Sequence, residues 1–336
     1  MLNLIRKMPW NGARETETEP LLSREWLVTN GLGGYASGTI GGVITRRYHG
    51  LLVAALPAPI GRTVMLNQVS EQVRLPDGRH IMLGGIEHAG GGLELHSAGV
   101  MTEFRLEAGL PVWGYRVDSI VIEKRIFLPH LQNTVYVSYR MVEGEGPVRL
   151  QVRPSVHFRH YEAPVNAPLG DPYHLNAVDE RIELSSSLTG IPPLRLMMYG
   201  PRRVLTLEPT TFVELMYRLE QSRGYEAVGR MWSPGYFRVD LSPQHEVTLV
   251  ASTEGWETVH AMNPEEAYLA ELERRGRLLS NAHPAARDGT PAELVLAADQ
   301  FIISPAGRVE DSARAHASGD EVRTIIAGYH WFTDWG

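Results

Sequence analysis

The chain contains no cysteine, which excludes a disulfide framework and a thiolate metal site. It has no apolar run approaching the roughly 20 residues of a membrane-crossing helix. Met1 to Trp10 carries Arg6 and Lys7 but no apolar core of signal-peptide length. Lysine and arginine number 32 against 39 aspartate and glutamate, a formal net charge of −7. The basic balance and basic patch of a nucleic-acid binder are both missing. Neither a membrane nor a nucleic acid is therefore expected as a partner, and a cytoplasmic location is the simplest reading. A neutral ligand is indifferent to this charge, so sugars stay open. There is no clear internal repeat and no low-complexity tract.

What is present points to strands. Hydrophobic residues make up 43% and charged residues 21% of 336, enough for a sizeable core in one large or two modest domains. The 33 glycines and 22 prolines are spread along the whole chain, which suits many short strands better than long helices. Residues 1–24 are polar, with Glu and Thr alternating, and read as a flexible entry segment. From Leu51 to Ser252 the hydrophobic period is two. Phe104 and Leu106 alternate with Glu103, Arg105 and Glu107, while Trp113, Tyr115 and Val117 share one side of the next run. Val135, Val137 and Tyr139 repeat the pattern, as do Val148, Leu150 and Val152, and Phe237, Val239 and Leu241. Alternation buries one face and wets the other, so a large antiparallel sandwich is expected over 25–260. Pro76-Asp77-Gly78 and Glu143-Gly144-Glu145-Gly146 supply turns between runs.

The pattern changes at Asn263-Pro264-Glu265-Glu266, which resembles a capping box. Tyr268, Leu272 and Leu279 follow at helical spacing, predicting a first helix. Thr290-Pro291-Ala292-Glu293 predicts a second, with Leu294, Ala297, Ala298 and Phe301 as its apolar stripe and Ser304-Pro305 as its stop. These two linker helices fill 261–305. A polar stretch, Ala306 to Glu321, is read as a loop. Ile325, Ile326, Tyr329, Trp331, Phe332 and Trp335 then make the end abruptly apolar and aromatic, the opening of something that needs more chain to be buried. Truncation is the expectation.

Four stretches could carry chemistry. Gly31-Leu32-Gly33-Gly34-Tyr35-Ala36 matches the dinucleotide fingerprint in form, but that fingerprint needs a helix directly after it. Ser37-Gly38-Thr39-Ile40-Gly41-Gly42 is too rich in glycine for one, so a nucleotide is rejected and no cofactor is expected. Arg46-Arg47-Tyr48-His49 precedes the apolar strand Leu51 to Leu56. It lines a sugar site or forms a structural network against the next domain, and the second is favoured. His157, His160 and His174 have weak metal-ligand spacing and no carboxylate at a ligand position, so no metal is assigned. In Trp331-Phe332-Thr333-Asp334-Trp335-Gly336, Asp334 between indoles is equally a pyranose-holding surface and a core segment with a capping carboxylate.

Together these residues resemble one family. Glu25 to Thr39 (EWLVTNGLGGYASGT) and Arg46 to Ala54 (RRYHGLLVA) look like the N-terminal signature of prokaryotic-type glycogen-debranching enzymes, the amylo-α-1,6-glucosidases. Ala297 to Ile302 (AADQFI) and Thr324 to Gly336 (TIIAGYHWFTDWG) look like that family's linker helix and the start of its catalytic domain. The resemblance implies a galactose-mutarotase or glucoamylase N-domain-like β-supersandwich, linker helices, and an α/α toroid of which 306–336 would be the truncated start. It implies an α-glucan partner (glycogen or limit dextrin), a missing C-terminal catalytic domain, and inverting hydrolysis of an α-1,6-linked glucose by two carboxylates. Both carboxylates would lie beyond Gly336, so no catalytic residue is assigned. Asp334 matches a position expected to grip the glucose being cleaved, and Trp331 and Trp335 flank it. His330 stands where the family pattern has proline.

Three functions compete. The first is the N-terminal domain of such a glucosidase, inactive by itself. The second is a free-standing carbohydrate-binding module, which would need aromatics such as Trp113, Tyr115, Trp232 or Tyr236 in a surface cleft. The third, ranked last, is an enzyme of sugar-mutarotase type, resting on fold analogy.

Overall fold

In a computed structural model, described here for residues 4–8, 18–170, 172–307 and 309–332, three antiparallel sheets carry the architecture. A nine-stranded sheet runs Ile5–Met8, Met101–Glu107, Leu110–Val117, Ile120–Phe127, Thr134–Glu143, Val247–Ser252, Leu194–Tyr199, Arg181–Ser185, His174–Val178. A seven-stranded sheet runs His80–Met82, Gln68–Arg74, Val148–Ser155, Val228–Leu241, Val204–Met216, Gly85–His88, Gly92–Leu95. A five-stranded sheet runs Arg159–His160, Arg62–Leu66, Gly50–Ala55, Tyr35–Thr39, Glu25–Thr29.

The alternating residues of the sequence fill one continuous core between these sheets. Val148, Leu150, Val152, Phe237, Val239 and Leu241 meet Trp113, Tyr115, Val137, Tyr139 and Leu249 there, with Trp26, Val28 and Leu52 from the third sheet. Each such side chain, fully buried, contributes roughly 1.5–3 kcal/mol. The mainly β, antiparallel sandwich is thus present, and Trp113 and Tyr115 belong to its core rather than to a cleft. Trp113 donates its indole N–H to the Ile40 carbonyl at 2.9 Å, satisfying the one polar atom it takes inside.

Several local readings are corrected. Arg105, expected on a wet face, is buried, because Glu103, Glu107 and Glu123 surround its guanidinium. Within the first 24 residues, Ile5–Met8 pairs with Met101–Glu107 as an edge strand, and Glu19–Ser23 is a helical turn burying Leu21 and Leu22. The first predicted helix, Pro264–Asn281, starts with the expected reciprocal cap between Asn263 and Glu266. Its buried stripe is Ala267, Glu271, Arg275 and Leu279, so an ion pair sits where apolar residues were sought.

The second helix, Gly289–Asp299, starts after Asp288 rather than after Thr290, and the Asp288 side chain makes no capping hydrogen bond. Pro291 still fits, because first-turn N–H groups have no partner inside a helix. The helix packs through Ala292 and Leu296, leaving Leu294 exposed and Phe301 beyond its end. A third helix, Val309–Ala317, occupies the polar stretch read as a loop. Apart from Val309 its only apolar residues are three alanines, too small to make a strong stripe, so no apolar period announced it.

Candidate functional site

The two sequence motifs meet in space. Glu25–Thr29 and Tyr35–Thr39 form a hairpin whose loop is held by Asn30. The Asn30 side-chain oxygen accepts from the N–H of Leu32 at 2.9 Å and of Gly34 at 3.0 Å. Its amide nitrogen donates to the Gln132 carbonyl and to the Asn133 side chain, both at 3.0 Å. Asn133 in turn bonds both backbone groups of Ala55, so the loop is pinned to two sheets at once. A strand, not a helix, follows the glycines, which removes the surface a pyrophosphate needs.

Arg46 to His49 fill the turn before Gly50–Ala55. His49 is fully buried, and its Nδ1 accepts from the Thr45 N–H at 3.2 Å. That leaves Nε2 to carry the proton, 3.2 Å from Glu25 Oε1. Arg46 donates to the same oxygen at 2.5 Å. Burial alone would raise the Glu25 pKa, but His49 and Arg46 outweigh it and hold the carboxyl at about 2. Arg47 binds Glu220 through its backbone N–H at 3.0 Å and its Nε at 2.7 Å. Its guanidinium also lies 4.5 Å from the Tyr225 ring centroid. The carbonyl of Arg47 accepts from Arg159 Nη2, and the Nη1 of that buried guanidinium reaches the carbonyls of His160, Tyr161 and Ala163.

Onto this surface folds the segment ending in Tyr329, His330 and Trp331. The His330 imidazole stacks on Tyr48, with centroids 5.8 Å apart and planes at 16°, and its Nε2 lies 2.9 Å from Ser37 Oγ. Trp331 meets Tyr48 edge-on at 5.6 Å, and two guanidiniums sit over its ring, Arg46 at 5.1 Å and Arg223 at 4.3 Å. Tyr329 packs on Tyr35 at 5.4 Å. The structure therefore brings five of the seven sequence-selected residues together: Arg46, Arg47, Tyr48, His49 and Trp331. Asp334 and Trp335 lie outside the described residues.

Sequence reasoning missed Glu25 and Glu220 as the counter-charges of Arg46 and Arg47, and Arg223 as a partner of Trp331. Glu25 stood inside a quoted motif, but only the fold shows that it faces His49. Glu220 and Arg223 lie more than 170 residues from the turn they complete, and nothing local marks them. His157, singled out for its spacing to His160, is buried with its Nε2 3.4 Å from the Pro168 carbonyl, and burial lowers its pKa to about 4.

This clasp is built to loosen in acid. Burial, with His49 and Arg46 nearby, lowers the His330 pKa to about 3 although Glu25 opposes the shift. Released, the imidazole returns to its ordinary value near 6.5. The released form thus binds the proton over the window between, so docking is strongest above pH ~6.5 and weakens as pH falls toward ~3. By about pH 4.5 the loss amounts to roughly 2–3 kcal/mol. Below about 4.5 the depressed Glu25 begins to lose its contribution as well, down through about 2. The protection factor of residues 324–332, taken against the intrinsic exchange rate at each pH, is expected to fall as the pH is lowered across this range in the wild type. His330→Gln, which keeps a polar group near Ser37 but does not titrate, is expected to flatten the dependence above pH ~5. An unchanged profile in that variant would remove His330 as the cause.

Comparisons with known proteins agree with the position of these motifs. The family model described as glycogen debranching enzyme N terminal matches residues 24–248. No curated protein matches the chain. Among solved structures, a protein assigned as a kojibiose phosphorylase from human microbiome is similar at 10% identity and a TM-score of 0.37, over 89% of this chain and 38% of that one. A bacterial glucoamylase complexed with acarbose is similar at 11% identity and a TM-score of 0.30, over 76% of this chain and 33% of that one. The chain thus spans well under half the length of either. The matched region contains both the glycine hairpin and the Arg46–His49 turn, and the chain belongs to the glycogen debranching enzyme N-terminal family.

Proposed function

We propose that the chain is the N-terminal domain of a glycogen-debranching α-1,6-glucosidase, working in the cytoplasm on glycogen or limit dextrin. Its role is to seat the start of the catalytic domain and support binding of the glucan. Residues 25–260 form the sandwich unit, 261–305 the linker, and 306–336 the entry to the catalytic part. The observation that carries this reading is the clasp of Arg46, Tyr48 and His49 on Tyr329 to Trp331. The turn's polar groups are spent on Glu25, Glu220 and the returning segment, which suits a seat better than an open sugar platform.

Two measurements test it. The chain alone, incubated with a limit dextrin carrying single α-1,6-linked glucoses, is expected to release no glucose; turnover would overturn the reading. Tyr48→Ala with Trp331→Ala is expected to speed hydrogen exchange in residues 324–332 at least about tenfold while leaving the Thr134–Glu143 strand protected. Equal protection of that segment in the variant would show that the turn does not hold it.

A further inference from the structure

A second feature lies on another sheet, away from the clasp. Gln68–Arg74 pairs with Val148–Ser155 so that Ser70 stands opposite Arg153 and Gln72 opposite Gln151. Val73, Val148, Leu150 and Val152 point into the core, so alternation puts these four polar residues on the outer face. Beside that face rises the hairpin Gly85–His88 with Gly92–Leu95. Between them is a cleft of about 310 Å³, open on one side to solvent. That volume lies at the small end of ligand sites, about 300–1,000 Å³.

The chemistry of the cleft selects among ligands. Its floor offers a hydroxyl, two carboxamides and a guanidinium, and each carboxamide both donates and accepts. Ser70 and Gln151 spend their side chains on no protein partner among the described residues, while Gln72 is held at both ends, its oxygen 2.8 Å from His80 Nδ1 and its nitrogen donating to the Met82 sulfur at 3.5 Å. On the wall, Glu94 stands between two imidazoles, 3.3 Å from His96 Nε2 and 3.9 Å from His88 Nε2. Phe212 and Met82 supply apolar surface beside these groups. With the imidazoles neutral the formal charge is slightly negative: Arg153 is paired with Glu208, Glu71 is buried behind the floor against Lys124 and Tyr139, and Glu94 has no cationic partner among the described residues. A phosphate would find no net positive field here. A neutral ring with adjacent hydroxyls and one apolar C–H face would find a partner for each of its parts.

We propose that this cleft is a carbohydrate-binding site that holds one or two glucosyl units of an α-glucan, separate from the seat for the catalytic domain. The identity of the sugar rests on the function proposed above; the existence of a neutral-sugar site rests on the cleft alone. Holding the polymer on the sandwich would keep its branch ends near the catalytic part without taking part in chemistry.

The test is a calorimetric titration of maltoheptaose into the 336-residue chain, with cellohexaose and inorganic phosphate titrated in parallel. Saturable binding of maltoheptaose, weakened about tenfold by Gln151→Ala and by Phe212→Ala, is expected. Gln151 lies on the solvent side of its strand, so that variant tests the cleft without disturbing the core. Hydrogen exchange should slow in residues 85–95 when the sugar is bound. Maltoheptaose binding that both variants leave unchanged would overturn the cleft and leave the glucan reading standing. Binding of cellohexaose alone, lost in the variants, would keep the cleft and overturn the glucan identity. Absence of binding by either sugar, or preference for phosphate, would overturn the proposal, while the family membership, which rests on the sequence match, would stand.

Discussion

Glu271→Ala is expected to lower the unfolding free energy by about 3–5 kcal/mol, the largest loss from a single side chain on the helices Pro264–Asn281 and Gly289–Asp299. Glu271 is 3% exposed and accepts from Arg275 at 2.7 Å and from Arg274 at 3.0 Å through each oxygen. Arg275, itself 3% exposed, donates onward to the Ala108 carbonyl in the turn between Met101–Glu107 and Leu110–Val117. Removing the carboxylate leaves a guanidinium in a place where burial already lowers its pKa. Arg274 keeps Asp299 at 2.8 Å, so the damage centres on Arg275. Chemical denaturation of wild type and variant measures the loss. Glu271→Leu combined with Arg275→Leu is expected to recover most of it, since two apolar residues of similar size need no partners. A loss below about 1 kcal/mol in Glu271→Ala would mean that water reaches Arg275.

Gly34→Ala is expected to cost about 3 kcal/mol or more and to loosen the clasp with it. A Cβ at this position would lie 2.9 Å from the Val53 carbonyl oxygen, 3.0 Å from the Ala55 nitrogen and 2.7 Å from Asn30 Nδ2. Two of these are backbone atoms of Gly50–Ala55, which cannot step aside without parting the sheet. The third holds the Asn30 bridge to Asn133. Thermal melting reads the stability, and exchange of residues 324–332 reads the clasp. Gly78→Ala is the control: φ is +90° there but nothing lies within 4 Å, so it should cost about 1 kcal/mol and leave the clasp intact.

How much of this was legible in the sequence depends on the scale of the signal. Alternation at Val148, Leu150 and Val152 was reliable because both neighbouring strands bury the same face. It failed at Arg105, because periodicity counts a charge as wet while three nearby glutamates let this one be buried. The stripe through Glu271 and Arg275 was hidden for the same reason. The Asn263 cap was readable because all its parts lie within four residues. Arg46 to His49 stood out as a cluster, but its partners Glu25 and Glu220 did not. That its occupant is Trp331 depended on a chain reversal spanning 293 residues between Ser37 and His330, which no window can see. The cleft beside Gln72 and Gln151 was invisible, because each polar residue alone is an ordinary member of a solvent-facing row.

Val247–Ser252 is a fully buried strand with Thr134–Glu143 on one side and Leu194–Tyr199 on the other. On the ribosome its position has a consequence. The strands from Met101 to Glu143 zip together by local hairpins as they emerge, and so do those from His174 to Tyr199. Neither group can join the other until Val247–Ser252 is made, because the Thr134–Ser252 pairing spans 118 residues. For that interval the nascent chain carries two unfinished sheets, each with a bare apolar edge. One late, six-residue strand closes both, so the vulnerable period in the life of this protein ends only when translation has passed residue 252.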